Sequence, residues 1–449
     1  MKRALLSLLV IVALVGAARR RSYNPQQTVP LNPTRSFAVT DKAILDGFSF
    51  ERFLNALVER SGTRTTALQF YQQWFDTQNP KPGLVSPNAP HCDDFITDGK
   101  ASFNGFPRRC PTPEGKLALT NPFPAPEYIP IALMNRFDQA PADGANCGEY
   151  RAIFARVGQA KDTLHIIFEA VLPNPNPQAG LAGCKPVAQF WADLSGVSSM
   201  AERRARLERF FFTGIDGFEP VVDPTHYAGA GSGRVRTAQF TFGQAESSTR
   251  FYQFRISNDM LMLPDTLENM PHGRLFDGKD TSELATQFRD EFVTQVAKLA
   301  IRDVNLFFMQ LSPKYLMHES DPGGLAFIYD GPFASSQNTA AGKDFSDRIQ
   351  AELTRVGSAL TPLQVINRAE SQNCAGCHVI SGPVGEGVIL PAAMGIEHVT
   401  ERESMLRDGE GGPKTRFGIS PAVETVFVPH RMAILRDFLA TGKAPEHSK

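Results

Sequence analysis

The chain has no excess of charge of either sign: 46 Lys and Arg stand against 47 Asp and Glu, for a formal net charge of −1. Nucleic acid is held by a surplus of basic side chains that release counterions from phosphates, so that class of partner is set aside. There is no internal repeat, heptad or long low-complexity tract, which leaves solenoids and coiled coils without a signal. Cysteine is scarce, at six residues, and only one Cys-x-x-Cys pair occurs. A structural zinc site wants four ligands and usually two such pairs. The one long apolar stretch, residues 4–18, reaches about 22 Å as a helix. That is short of the roughly 30 Å hydrocarbon core of a bilayer. Tryptophan and tyrosine are sparse too, at two and eight, whereas phenylalanine is abundant at 33. The aromatic content reads as well-filled cores. Hydrophobic content of 42% is ordinary for a globular chain.

The most informative residues are Cys374-Ala375-Gly376-Cys377-His378. Two thiols three apart with a histidine next to the second match the c-type haem attachment motif. Each thiol adds across one vinyl group of the porphyrin, and the imidazole is held against the iron as proximal ligand. With six Cys and nine His in 449 positions, a chance match is rare. A thioredoxin-like pair calls for a βαβ context and gives His378 no role. A plain disulfide or a metal site is the other alternative. Ahead of the motif, Thr361, Pro362 and Gln364 predict a helix start with a capping box. Beyond it, Pro429 opens a closing helix with Met432, Leu435 and Leu439 on one face and Gly442 as its stop.

A helix entering the motif, a Gly/Pro-rich stretch and a closing helix resemble a small class I cytochrome c domain. The resemblance covers residues 356–449, the last fifth of the chain. It implies one covalently attached haem c on Cys374, Cys377 and His378. In that family a methionine ahead of the last helix usually completes the iron. Here that place holds Val428, Pro429 and His430. The candidates for the sixth position are His398 first, then His430 and Met394, or no protein ligand; Met405 is a weaker candidate and Met432 reads as core.

Compartment and cofactor agree. Lys2 and Arg3 followed by the apolar residues 4–16 and small residues near 16–18 predict a secretory signal peptide over 1–18. Arg19, Arg20 and Arg21 directly after it leave an uncleaved membrane anchor as the alternative. No cysteine near the cleavage site points to a lipid anchor. A periplasmic or extracellular location is the expectation, and an oxidising compartment favours pairing of the other four cysteines. Loop length favours Cys92–Cys110 and Cys147–Cys184.

The body reads as α+β. Phe50, Phe53, Leu54, Leu57 and Val58 follow a helical apolar stripe, and 68–75 suggest a second helix within an N-terminal helical segment, 19–85. A central α+β domain, 86–355, is expected to hold an antiparallel sheet or sandwich of about six strands near 128–137, 150–157, 163–172, 234–242, 251–256 and 325–329. Helices are expected at 198–212, 282–309 and 344–356. A small all-α haem domain, 356–449, follows. Arg203, Arg204, Arg206 and Arg209 read as a solvated helix face, with docking of an acidic redox partner or of haem propionates as the alternative. Asn135 to Asp138, with Asp143, Cys147 and Glu149, read as a surface ion-pair cluster, with a pocket lining as the alternative.

Three functions remain open. The first is an exported monohaem c-type cytochrome passing electrons to a protein redox partner. The second is a haem-dependent peroxidase or oxygenase whose central domain shapes a substrate pocket, with Glu386, Glu397 or His398 as distal acid or base. The third is a secreted binding protein with a haem appendage.

Overall fold

The structure is a computed structural model describing residues 30–125, 127–157, 162–215, 217–241, 248–306, 308–320, 325–378, 382–395, 399–401 and 406–443. The expected signal segment, 1–18, lies outside them. Among the described residues no helix is long and apolar enough to cross a membrane. The fold is α+β. Its centre is an antiparallel sheet of β1 (Ala38–Val39), β2 (Tyr128–Arg136), β3 (Asn146–Arg156), β4 (Asp162–Pro173), β5 (Arg234–Thr241), β6 (Ser248–Ile256) and β7 (Met262–Asp265), lying side by side in chain order. A short β8 (Glu319–Ser320) also pairs with β6.

Side chains alternate across a strand, so each of these strands has two faces. On one face Phe154, Phe168 and Phe254 are fully buried. They meet α1 (Phe50–Ser61) and α2 (Ala67–Asp76): Phe53 lies 4.5 Å from Phe168, Phe50 lies 5.2 Å from Phe154, and Trp74 lies 5.8 Å from Phe254, ring centre to ring centre. Tyr150 of β3 stacks at 5.9 Å on Trp191 of α3 (Lys185–Leu194), beside α4 (Met200–Phe212). Burial of each such ring contributes about 1.5–3 kcal/mol. Ser49 caps the first of these helices and Thr66 closes a capping box on the second.

A second core lies on the other side. It is built from α5 (Glu283–Val293), α6 (Ala340–Arg355) and α7 (Pro362–Glu370), with Phe276 and Tyr329 stacked at 4.3 Å. The expected capping box of Thr361 and Gln364 is formed. The Cys-x-x-Cys-His residues form the short α8 (Cys374–His378), whose Ala375 belongs to this second core. The closing α9 (Val428–Thr441) ends on Gly442 in the left-handed region, as expected, but packs on the first core, with Phe438 4.8 Å from Phe137. The two ends of residues 356–449 thus contribute to different cores. The stretch between them carries a hairpin, Arg407–Gly409 with Gly412–Arg416.

Two expected elements differ. The helix over 282–309 stops at Val293, where Thr294 turns its hydroxyl back onto the Glu291 carbonyl at 2.6 Å. Among the described residues up to 309, only a short turn, Val296–Leu299, follows as helix. The strand over 325–329 is a 3-10 turn, Leu325–Phe327. Phe327 and Tyr329 are buried in the second core, and the Tyr329 N–H goes to the Glu370 carboxylate at 2.8 Å rather than to a strand. Both expected disulfides are present, Cys92–Cys110 and Cys147–Cys184, and they fit an oxidising compartment.

Candidate functional site

A cavity of about 300 Å³ lies between the second face of the sheet, α8 and α9. Its volume is at the lower end of the roughly 300–1,000 Å³ typical of ligand sites. Residues at i, i+3 and i+4 of one helical turn share a face. Cys374, Cys377 and His378 are so spaced, and all three line the cavity. Neither cysteine takes part in a disulfide.

The turn is held from its N-terminal end. Asn373, fully buried, accepts the Gly376 N–H at 2.6 Å on its side chain and the Cys377 N–H at 2.9 Å on its carbonyl. Its amide donates to the Phe327 carbonyl at 3.2 Å, and the Ser320 hydroxyl accepts the Ala375 N–H at 3.0 Å. Gly376 has a steric reason: a Cβ there would stand 2.0 Å from the Glu370 carbonyl oxygen. Phe251 of β6 packs against the His378 ring at 5.2 Å.

The sheet supplies a charged floor, written in register. Arg136 stands opposite Glu149, Arg151 opposite Glu169, and Glu169 opposite Arg234. Glu169 is fully buried and takes Arg151 at 3.2 Å, Arg234 at 3.3 Å and Arg236 in a closer contact. Arg234 also reaches the exposed Glu268 at 2.7 Å, and Arg151 is bonded to Glu149. Burial alone raises a carboxyl's pKa, but the three guanidiniums overcome it and hold Glu169 at about 2. Nearer α9, Arg136 grips Asp138 through Nε at 3.0 and 3.1 Å and Nη2 at 2.9 Å. Burial works against the Asp138 charge, but Arg136 and Arg431 hold its carboxyl well below the ordinary range.

The far wall comes from one face of the C-terminal helix. A π-helical turn, Val423–Phe427, feeds into α9, and Val423, Phe427, His430, Arg431 and Ile434 all face the cavity. Such turns recur at functional sites because they re-aim a helix face. His165 completes the wall, with Nε2 3.0 Å from Glu401, which also accepts from the Thr163 hydroxyl at 2.9 Å. Despite its burial, these bonds hold Glu401 at about 2. The Cys374 thiol moves the other way. Burial raises its pKa against the opposing pull of Arg236, 3.9 Å from the sulfur.

The structure sorts the expected residues. Cys374, Cys377, His378 and His430 come together. His398, Glu397 and Met405 lie outside the described residues. Met394 ends a turn, Pro391–Met394, and is not among the residues lining the cavity. Met432 packs against the first core. Glu386 is not among the cavity-lining residues either; it pairs with Arg368 at 3.3 Å. The expected surface cluster at 135–149 is corrected: Arg136, Asp138 and Glu149 line the cavity, and of the cluster's residues only Asp143 is exposed. Of the arginines on α4, Arg203 is buried and paired with Glu410, while Arg204 and Arg206 pair one helical turn away with Glu208 and Glu202. Sequence reasoning missed Arg151, Arg234, Arg236, Glu169, His165 and Arg431. The available signal was the alternation Glu149-x-Arg151 and Arg234-x-Arg236, which reads as a wet sheet face.

The zinc alternative needs converging protein ligands, and among the described residues no three or more His, Cys, Asp or Glu form such a group. Comparison with known proteins finds no family model, curated protein or solved structure that matches the chain.

Proposed function

We propose that the chain is an exported monohaem c-type protein of electron transfer, with haem held by thioether bonds to Cys374 and Cys377 and by His378. The observation that carries this reading is the shared placement of both thiols and the imidazole, on one helical turn, in the lining of a single cavity. Bound haem would supply a one-electron iron couple. The chain's own residues do the rest. Asn373 and Ser320 fix the turn that presents the thiols. Ile153, Ile167, Phe251 and Phe427 form the apolar part of the lining. The arginines of the floor and of α9 suit the two carboxylates of a porphyrin. His430, which lines the same cavity, is the candidate for the sixth position among the described residues, and a second histidine lowers the potential relative to methionine. The disulfides support a periplasmic or extracellular location, and a protein redox partner follows from the electron-transfer reading.

A second reading, a haem-dependent peroxidase or oxygenase, draws on the His165–Glu401 pair in the cavity wall, an arrangement able to hold or pass a proton. One set of measurements separates the readings. Intact mass of the purified protein tests covalent haem, and an unmodified chain refutes both. A low-spin spectrum that ignores carbon monoxide supports electron transfer. A high-spin iron that binds carbon monoxide readily favours the enzyme.

A further inference from the structure

Among the described residues five arginines line the cavity: Arg136, Arg151, Arg234, Arg236 and Arg431. Four are matched. Arg151, Arg234 and Arg236 share Glu149, Glu169 and Glu268, and Arg136 holds Asp138 in a two-pronged grip. The remaining carboxylate nearby, Glu401, is taken by His165 and Thr163. Among the described residues Arg431 is the surplus cation. Its side chain is 11% exposed, and among the described residues its ion-pair contact is Asp138 Oδ1 at 3.8 Å, beyond hydrogen-bond reach. The Asp138 oxygens are already engaged by Arg136 and by the Gln139 amide at 3.1 Å. Phe427 covers one flank of the guanidinium, at 5.9 Å from its ring centre.

A buried cation without a close counter-ion is costly unless an anion arrives. We infer that Arg431, flanked by Arg136 and Gln139, is a carboxylate-binding site at the α9 end of the cavity. Carboxylate is the class that fits. It is planar, carries one charge, and matches the guanidinium fork with two parallel bonds. The carboxylate has two sources, a propionate of the haem or a free small carboxylate. Only the first rests on the haem reading.

The test uses the full-length protein as purified, with sodium propionate as probe, and compares wild type, Arg431→Gln and Arg431→Lys after far-UV circular dichroism has confirmed folding. If the occupant is a free carboxylate, calorimetry shows propionate binding to the wild type, weakened at least tenfold in Arg431→Gln. If the occupant is the haem's own carboxylate, propionate does not bind. Arg431→Gln then changes the one-electron reduction equilibrium about tenfold, 59 mV, and Arg431→Lys restores part of it. A wild type that binds no propionate, with a midpoint potential indifferent to Arg431, overturns the inference. A chain lacking haem by mass sinks the haem reading; propionate affinity then decides the Arg431 site alone, and no binding overturns it.

Discussion

Replacing Glu169 by Gln removes the one charge around which the cavity floor is organised while keeping the side chain's size. Glu169 is fully buried, with Arg151 and Arg234 directly opposite it on the flanking strands and Arg236 in close contact. Its pKa is held at about 2 against an ordinary 4.5. At 1.36 kcal/mol per pH unit, that gap amounts to about 3 kcal/mol of stabilisation. Removing one partner of a buried ion pair typically costs about 3–5 kcal/mol, so the two routes agree. The sign follows from the depressed value. The contribution is complete above about pH 4.5 and fades as pH falls toward 2. Urea unfolding followed by far-UV circular dichroism should show Glu169→Gln less stable by about 3 kcal/mol at pH 7. The stability difference between wild type and variant should shrink through the acid range. The control is Glu268→Gln, whose side chain is 67% exposed and should cost below about 1 kcal/mol. A loss for Glu169→Gln under about 1 kcal/mol, or one that does not change between pH 5 and pH 2, would refute the account of the floor.

Three further outcomes are expected. His430→Ala should leave covalent haem in place by mass yet convert a low-spin spectrum to high-spin; an unchanged spectrum assigns the sixth position elsewhere. Gly376→Ala forces a Cβ to within 2.0 Å of the Glu370 carbonyl oxygen, so it should cost about 1–3 kcal/mol in urea unfolding and lower the fraction of chains carrying haem. Replacing Cys147 and Cys184 together by Ser removes a link between residues 37 apart in sequence and should destabilise by about 2–4 kcal/mol, read from the shift in thermal midpoint.

What could be read from sequence was local. The capping box at Thr361, the Pro and Gly that bracket the closing helix, and the stripe Phe50, Phe53, Leu54, Leu57 each depend on neighbours within a turn or two, where side-chain chemistry decides conformation. The disulfides followed because a short loop between paired cysteines is the least costly to close. The long helix expected over 282–309 failed for the complementary reason. Its apolar spacing continued past Val293, but the Thr294 hydroxyl competed for the backbone locally, and helical periodicity carries no trace of that.

The floor of the cavity was not legible because strand alternation reports only that two faces differ, never what covers them. Arg234 and Arg236 beside Val235, and Glu149 and Arg151 beside Tyr150, have the pattern of a sheet with one wet side. Here the wet side is roofed: α8 reaches it from the second core and α9 from the first. Covering a charged face is tolerable only if the charges pair across strands, and the register sets Arg136 against Glu149 and Arg151 and Arg234 against Glu169. The alternation is therefore the same whether the face is exposed or enclosed. Only the tertiary arrangement distinguishes a solvated face from a site, and it does so by bringing the 374–378 turn onto arginines from strands far away in the chain.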